Sequence, residues 1–152
     1  QKRSDDNKEY VNSPDWRMAQ IPSANGHGTS EGLAKLYGIL SSDCIENGNQ
    51  IINPNTLRYC IKPYSSGPDT VLFGSDITFG LGFELASEML LKGSFSPRFM
   101  GSMYGHAGIG GAVAFGDVDK KIGFSFLCNK MHDTKNLYKT ANKLIDALYS
   151  KI

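Results

Sequence analysis

Neither sign of charge dominates this sequence: 16 Lys and Arg face 15 Asp and Glu, for a formal net charge of +1. That balance removes the electrostatic case for nucleic acid or an anionic membrane surface as partner. Trp16 and the seven tyrosines are scattered without an interleaved basic stripe, so base stacking has no support either. No apolar run approaches the roughly 18 residues that a membrane-spanning helix needs. The first residues, QKRSDDNKEYVNSPDW, are polar and hold no apolar core of the kind a secretory signal carries. Cysteine is scarce: Cys44, Cys60 and Cys128 are an odd number at long spacings. Without a Cys-x-x-Cys pair, zinc and dithiol redox chemistry have little to stand on. Cys128 closes the apolar run IGFSFLC and reads as a small buried hydrophobe; a cytoplasmic or other reducing compartment is favoured. The three histidines, His27, His106 and His132, share no metal-ligand spacing. No metal and no cofactor is expected.

What is present is an ordinary globular composition, 40% hydrophobic and 20% charged. Residues 1–66 read as an irregular lead-in followed by helices. Within them Leu33, Leu36, Tyr37 and Leu40 form one stripe at helical spacing, with Thr29 as N-cap and Glu31 in the first turn. The run ENGN (46–49) predicts a turn, and NPNTLRYCI a short helix capped by Asn53 with Pro54 in its first position. KPYSSGPD reads as a loop. Residues 67–152 then change character. TVLFGSDITFGLGFEL is rich in β-branched and aromatic residues, and GGAVAFGDVDKKIGFSFLCNK is two apolar runs split by a polar one, the pattern of an antiparallel hairpin. DTKNLYKTANKLIDALYSKI predicts a final helix capped by Asp133 or Thr134, with Leu137, Ala141, Leu144, Ile145 and Leu148 on one face. The fold class is therefore α+β, an antiparallel sheet with flanking helices.

The stretch GSMYGHAGIGGAVAFG (101–116) packs six glycines around His106. It is not a phosphate cradle. No Lys-Ser or Lys-Thr follows the glycines, Val113 stands where a third glycine would complete a dinucleotide fingerprint, and AVAFG alternates like a strand. A tight turn or a close strand crossing explains such glycines generically. The wall of a carbonyl-binding site explains them together with the imidazole, because bare backbone lets N–H groups reach a developing oxyanion.

IPSANGHGTSEGLAKLYGIL, FGLGFEL and YGHAGIGGAVAFGDVDKKIGFSFLCNKM, in this order, resemble the C-terminal part of the serine β-lactamase-like superfamily. The nearest branch holds class C β-lactamases, their esterase relatives and β-lactamase-domain proteins of animals. The resemblance implies a partial β-lactamase/transpeptidase-like fold. It also implies acyl-enzyme hydrolysis of a small-molecule ester, amide or peptide by the parent protein. By position, His106-Ala107-Gly108 takes the place of the family's Lys-Thr-Gly motif. Histidine is only partly charged at neutral pH, and Ala107 lacks threonine's hydroxyl. Both departures suit an ester or peptide better than a β-lactam carboxylate. The same matching makes the Ile109 N–H a donor of the oxyanion hole, with Gly110 and Gly111 beside it on the substrate side. The family's nucleophile motif Ser-x-x-Lys is absent: no serine here has lysine three residues later. Tyr10-Val11-Asn12 matches the second family motif only superficially, since it directly precedes the stretch that should follow at a distance. The chain alone is expected to be inert, and to expose sheet edge and apolar surface that a missing N-terminal half or a second copy would cover. A non-catalytic interaction or scaffold domain that kept part of the fold is the alternative.

Overall fold

A computed structural model describes residues 10–72, 74–86, 99–131 and 137–152. Ser13 caps a short helix, α1 (Pro14–Met18), by accepting from the Trp16 N–H, with Pro14 supplying the fixed φ of a first helical position. The lead-in is thus helical where an irregular chain was expected. Thr29 caps α2 (Ser30–Ser41) through its hydroxyl to the Gly32 N–H at 3.0 Å, as its spacing predicts. Asn47 and Gly48, both at positive φ, turn the hairpin β1 (Ile45–Glu46) and β2 (Asn49–Gln50). Asn53 caps α3 (Pro54–Cys60).

The remaining strands pair antiparallel with their sequence neighbours, in the order β3 (Ser65–Asp69), β4 (Ser75–Phe79), β5 (Glu84–Leu85), β6 (Met103–Ala107), β7 (Val113–Asp117) and β8 (Ile122–Phe126). The β7–β8 pair is the expected hairpin, in register Val113 opposite Phe126 through Asp117 opposite Ile122. β3 corrects the loop reading of KPYSSGPD. Its turn-forming composition is tolerated because β3 is an edge strand, where Pro68 removes a donor the sheet does not need. The architecture is α+β with an antiparallel sheet.

Alternation along β6 and β7 divides the core. Met103, Val113 and Phe115 face α4 (Lys139–Tyr149) and bury against Leu137, Ala141 and Ile145. Phe115 stacks on Phe124 with ring centroids 5.0 Å apart. Burying Phe115 and Ile145 completely contributes roughly 1.5–3 kcal/mol each. Leu144, expected on this face, is 44% exposed, and Tyr138 is buried there instead. The predicted caps Asp133 and Thr134 lie outside the described residues, as does His132.

On the other face Tyr104 packs with Leu85, Tyr37 and Leu40. Here too the leucine stripe is only part of the story. α2 touches the sheet through small residues, with Gly38 against Gly123 and Ser41 hydrogen-bonded to the Tyr104 hydroxyl at 3.1 Å, while Leu36 is 44% exposed.

The β7–β8 turn is tied to the last helix by Asp117, which is 4% exposed. Its carboxylate accepts from the Ser102 and Tyr149 hydroxyls, each at 2.5 Å, and from the Asp119 and Lys120 N–H groups. Burial works against the charge, but these four donors outweigh it and hold the carboxyl below its usual range.

Candidate active site

β6 ends at Ala107, and the chain reverses through 108–112 to enter β7. The Gly108 N–H donates to Ala112 O at 2.8 Å, closing the reversal. Gly108 O in turn accepts from the Gly110 N–H at 2.7 Å and the Gly111 N–H at 3.0 Å. A third donor comes from outside the turn, the Tyr138 hydroxyl at 3.2 Å. Gly111 sits at φ +97, where a side chain would be strained. The thiol of Cys128 donates to Gly110 O at 3.2 Å, a packing role that agrees with its half-buried position.

Of the five N–H groups in the reversal, those of Ile109 and Ala112 have no acceptor among the described residues, and of the two residues Ile109 is the exposed one, at 72%. His106 is also exposed and lies beside it on β6. The His106 Nδ1 is 2.9 Å from Ala107 O, and a carbonyl only accepts, so Nδ1 carries the proton. In the neutral ring Nε2 is therefore an acceptor, not a donor.

The glycines serve different ends. A Cβ at Gly105 would lie 2.2 Å from Ala114 O and 2.7 Å from the Phe115 Cα, so this glycine is required by the sheet's own packing rather than by a substrate. Gly108 has ordinary room, its nearest neighbour being the Ala112 Cβ at 3.6 Å. His106, Ala107, Gly108, Ile109, Gly110 and Gly111 are thus brought together at one end of β6, with His106 and Ile109 exposed, Ala107, Gly108 and Gly110 half-buried and Gly111 buried. A cavity of about 620 Å³, lined by Ile61, Ser66, Thr78, Leu85, Ser102 and Tyr104 among others, lies at the opposite end of that strand and includes none of these six. His27 is far from this chemistry in kind: its Nδ1 bonds Asn25 O at 2.7 Å in an exposed turn. Among the described residues no group of three or more His, Cys, Asp or Glu could hold a metal ion.

Sequence reasoning passed over two residues behind the turn. Glu84 on β5 pairs with Gly105 and is 5% exposed; burial pushes its carboxyl up to about 7. Burial, and then the charge of Glu84, push the Tyr138 hydroxyl up to about 12, so it remains a donor at any working pH. An acid interrupting the apolar run FGLGFEL was the available signal for Glu84; nothing local marked Tyr138. The Glu84 shift has a definite sign. From about 4.5 to about 7 the unfolded chain releases a proton that the folded one retains, so stability falls as pH rises through that window. The loss reaches at most about 3 kcal/mol. Glu84→Gln is expected to raise the urea midpoint near pH 8 and to flatten the profile between about pH 5 and 7. A variant that keeps the wild-type slope would assign that titration to another group.

A family model described as Beta-lactamase matches residues 1–148. The chain is 29% identical over 114 residues to "Esterase/beta-lactamase LipL" of Mycobacterium tuberculosis (strain ATCC 25618 / H37Rv), a match covering 74% of this chain and 24% of that protein. Among solved structures, a penicillin-binding protein homolog from Caulobacter crescentus superposes with a TM-score of 0.80 at 29% identity, over 92% of this chain and 36% of that one. A family VIII carboxylesterase does so with a TM-score of 0.70 at 26% identity, over 89% and 37%. The chain therefore spans between a quarter and two fifths of the length of these relatives.

Proposed function

The chain belongs to the β-lactamase family, and from that membership we propose that it forms the substrate wall of a serine hydrolase acting on esters or amides through an acyl-enzyme. One observation supports this reading most: the reversal after β6 presents an Ile109 N–H with no acceptor among the described residues, next to a strand end that carries an exposed imidazole. In the proposed reaction a serine hydroxyl supplied outside this chain attacks the substrate carbonyl carbon. Its proton passes to a base there, and the carbonyl oxygen takes up the electron pair. The Ile109 N–H donates to that oxygen, with Gly108, Gly110 and Gly111 shaping the approach. Collapse of the intermediate expels the alcohol or amine, and water then repeats the sequence on the acyl-serine.

His106 and Ala107 direct the choice of substrate. With Nδ1 committed to Ala107 O, His106 has only Nε2 left to offer a substrate, and Ala107 offers no hydroxyl. A site with so few donors suits a neutral ester better than a β-lactam carboxylate. The three free cysteines accord with a reducing compartment. No helix among the described residues is long and apolar enough to cross a membrane.

A second reading is favoured by the sheet itself. Among the described residues β8 ends the order of strands with its outer edge unpaired, which suits pairing with the rest of a longer protein, with a second copy, or with a binding partner in a non-catalytic scaffold. Hydrolysis of a nitrophenyl ester and a chromogenic cephalosporin separates the readings. Turnover is expected from the full-length protein, faster on the ester, and none from this chain alone. No turnover by the full-length protein would leave the scaffold reading; turnover by the isolated chain would refute its proposed dependence on outside residues.

A further inference from the structure

We propose that Tyr138 is a positioning residue that sets the direction of the Ile109 N–H by holding the carbonyl of the same peptide group. The inference rests on the oxyanion role proposed for that N–H and adds the element that aims it. Gly108 C=O and Ile109 N–H share one planar peptide, and no peptide bond in the described chain is cis. The two groups therefore point in opposite directions, and whatever fixes the oxygen fixes the N–H. Gly110 and Gly111, which donate to that oxygen, belong to the same five-residue reversal and move with it. Tyr138 does not. It is 6% exposed, packed in the cluster of Val113, Phe115 and Ile145 immediately before α4, and its hydroxyl reaches Gly108 O at 3.2 Å. The core beneath the sheet thus supplies a fixed donor to the Gly108 carbonyl itself, whereas the turn's other tie to the rest of the chain, the Cys128 thiol, holds Gly110 O. Preorganisation of this kind matters because an oxyanion donor is effective only when it is aimed before charge develops.

Tyr138→Phe keeps the ring and removes the hydroxyl. Two readouts are expected to move. In this chain, the Ile109 amide should shift in its nitrogen–proton correlation spectrum and show increased fast motion by relaxation. In the full-length protein, kcat on a nitrophenyl ester should fall about 10- to 100-fold with KM changed less than about twofold, since a misaimed donor loses part of what deleting one costs. Tyr149→Phe is the control. It removes a half-buried hydroxyl bond at the far end of α4, to Asp117, without touching the turn, and should lower the melting temperature while leaving the Ile109 amide and kcat unchanged. An Ile109 amide indifferent to Tyr138→Phe would overturn the proposal, as would a kcat effect matched by Tyr149→Phe. Should the wild-type full-length protein hydrolyse nothing, the acyl-transfer reading fails, and the amide measurement still decides whether Tyr138 orients the peptide.

Discussion

Replacing Ile109 with proline is expected to lower kcat of the full-length hydrolase by about 100- to 1000-fold, the effect of deleting one oxyanion donor. Proline removes the single N–H in question and little else. Ile109 is not among the residues at positive φ, and it is second in a turn closed by the Gly111 N–H to Gly108 O, a place where proline's fixed φ is favoured. The preceding residue is the one a proline restricts, and here it is Gly108, the residue best able to adapt. No internal hydrogen bond is lost, because nothing among the described residues accepts from this N–H. Little apolar burial is lost either, with the side chain 72% exposed. Stability should therefore stay near that of the parent while turnover collapses. Ile109→Ala, which keeps the N–H, should retain kcat within about threefold. A proline variant as active as the alanine one would remove Ile109 from the chemistry.

The contrast between those two substitutions reflects what a sequence can and cannot carry. Local rules were legible: Thr29 and Asn53 cap helices, and the β7–β8 hairpin follows from two apolar runs around a polar one. That His106, Gly108 and Ile109 lie near one another follows from their adjacency in the chain, whereas the strand end they occupy, at the close of β6, is seen only in the structure. What failed were statements about which side of an element meets a partner. Periodicity marked Leu36 and Leu144 as core, yet both are 44% exposed, because helix seating is decided by how closely backbones approach. β3 was read as a loop since propensity cannot anticipate an edge strand whose partner, β4, does the ordering. Gly105 was read toward the substrate, whereas the Ala114 carbonyl and Phe115 across the ladder are what forbid it a side chain. Tyr138 and Gly108 are 30 residues apart in sequence, and only the packing of α4 under the sheet brings them together.

Close backbone approach also yields the largest expected loss of stability, at Gly123 of β8. A Cβ there would stand 2.1 Å from Ala34 O, 2.1 Å from Gly38 N and 2.7 Å from the Gly38 Cα. All three are backbone atoms of α2, so no rotamer change relieves the overlap and the helix itself must lift. Lifting α2 opens the contact that buries Ser41 and loosens its hydrogen bond to Tyr104, whose ring holds Tyr37 and Phe83 edge-on. Gly123→Ala should therefore cost about 3 kcal/mol, at the upper end of overpacking effects, out of a total that is usually only about 5–15 kcal/mol. The facing glycine behaves differently although it makes the same contact. A Cβ at Gly38 meets Gly123 N at 3.7 Å and its Cα at 3.9 Å, ordinary van der Waals separations. Gly38→Ala should thus be neutral, or stabilising by up to about 1 kcal/mol through helix propensity. Urea denaturation of the two variants measures the asymmetry. Equal effects would mean that α2 can slide over β8, and that the small residues of this seam are not what fixes the helix on the sheet.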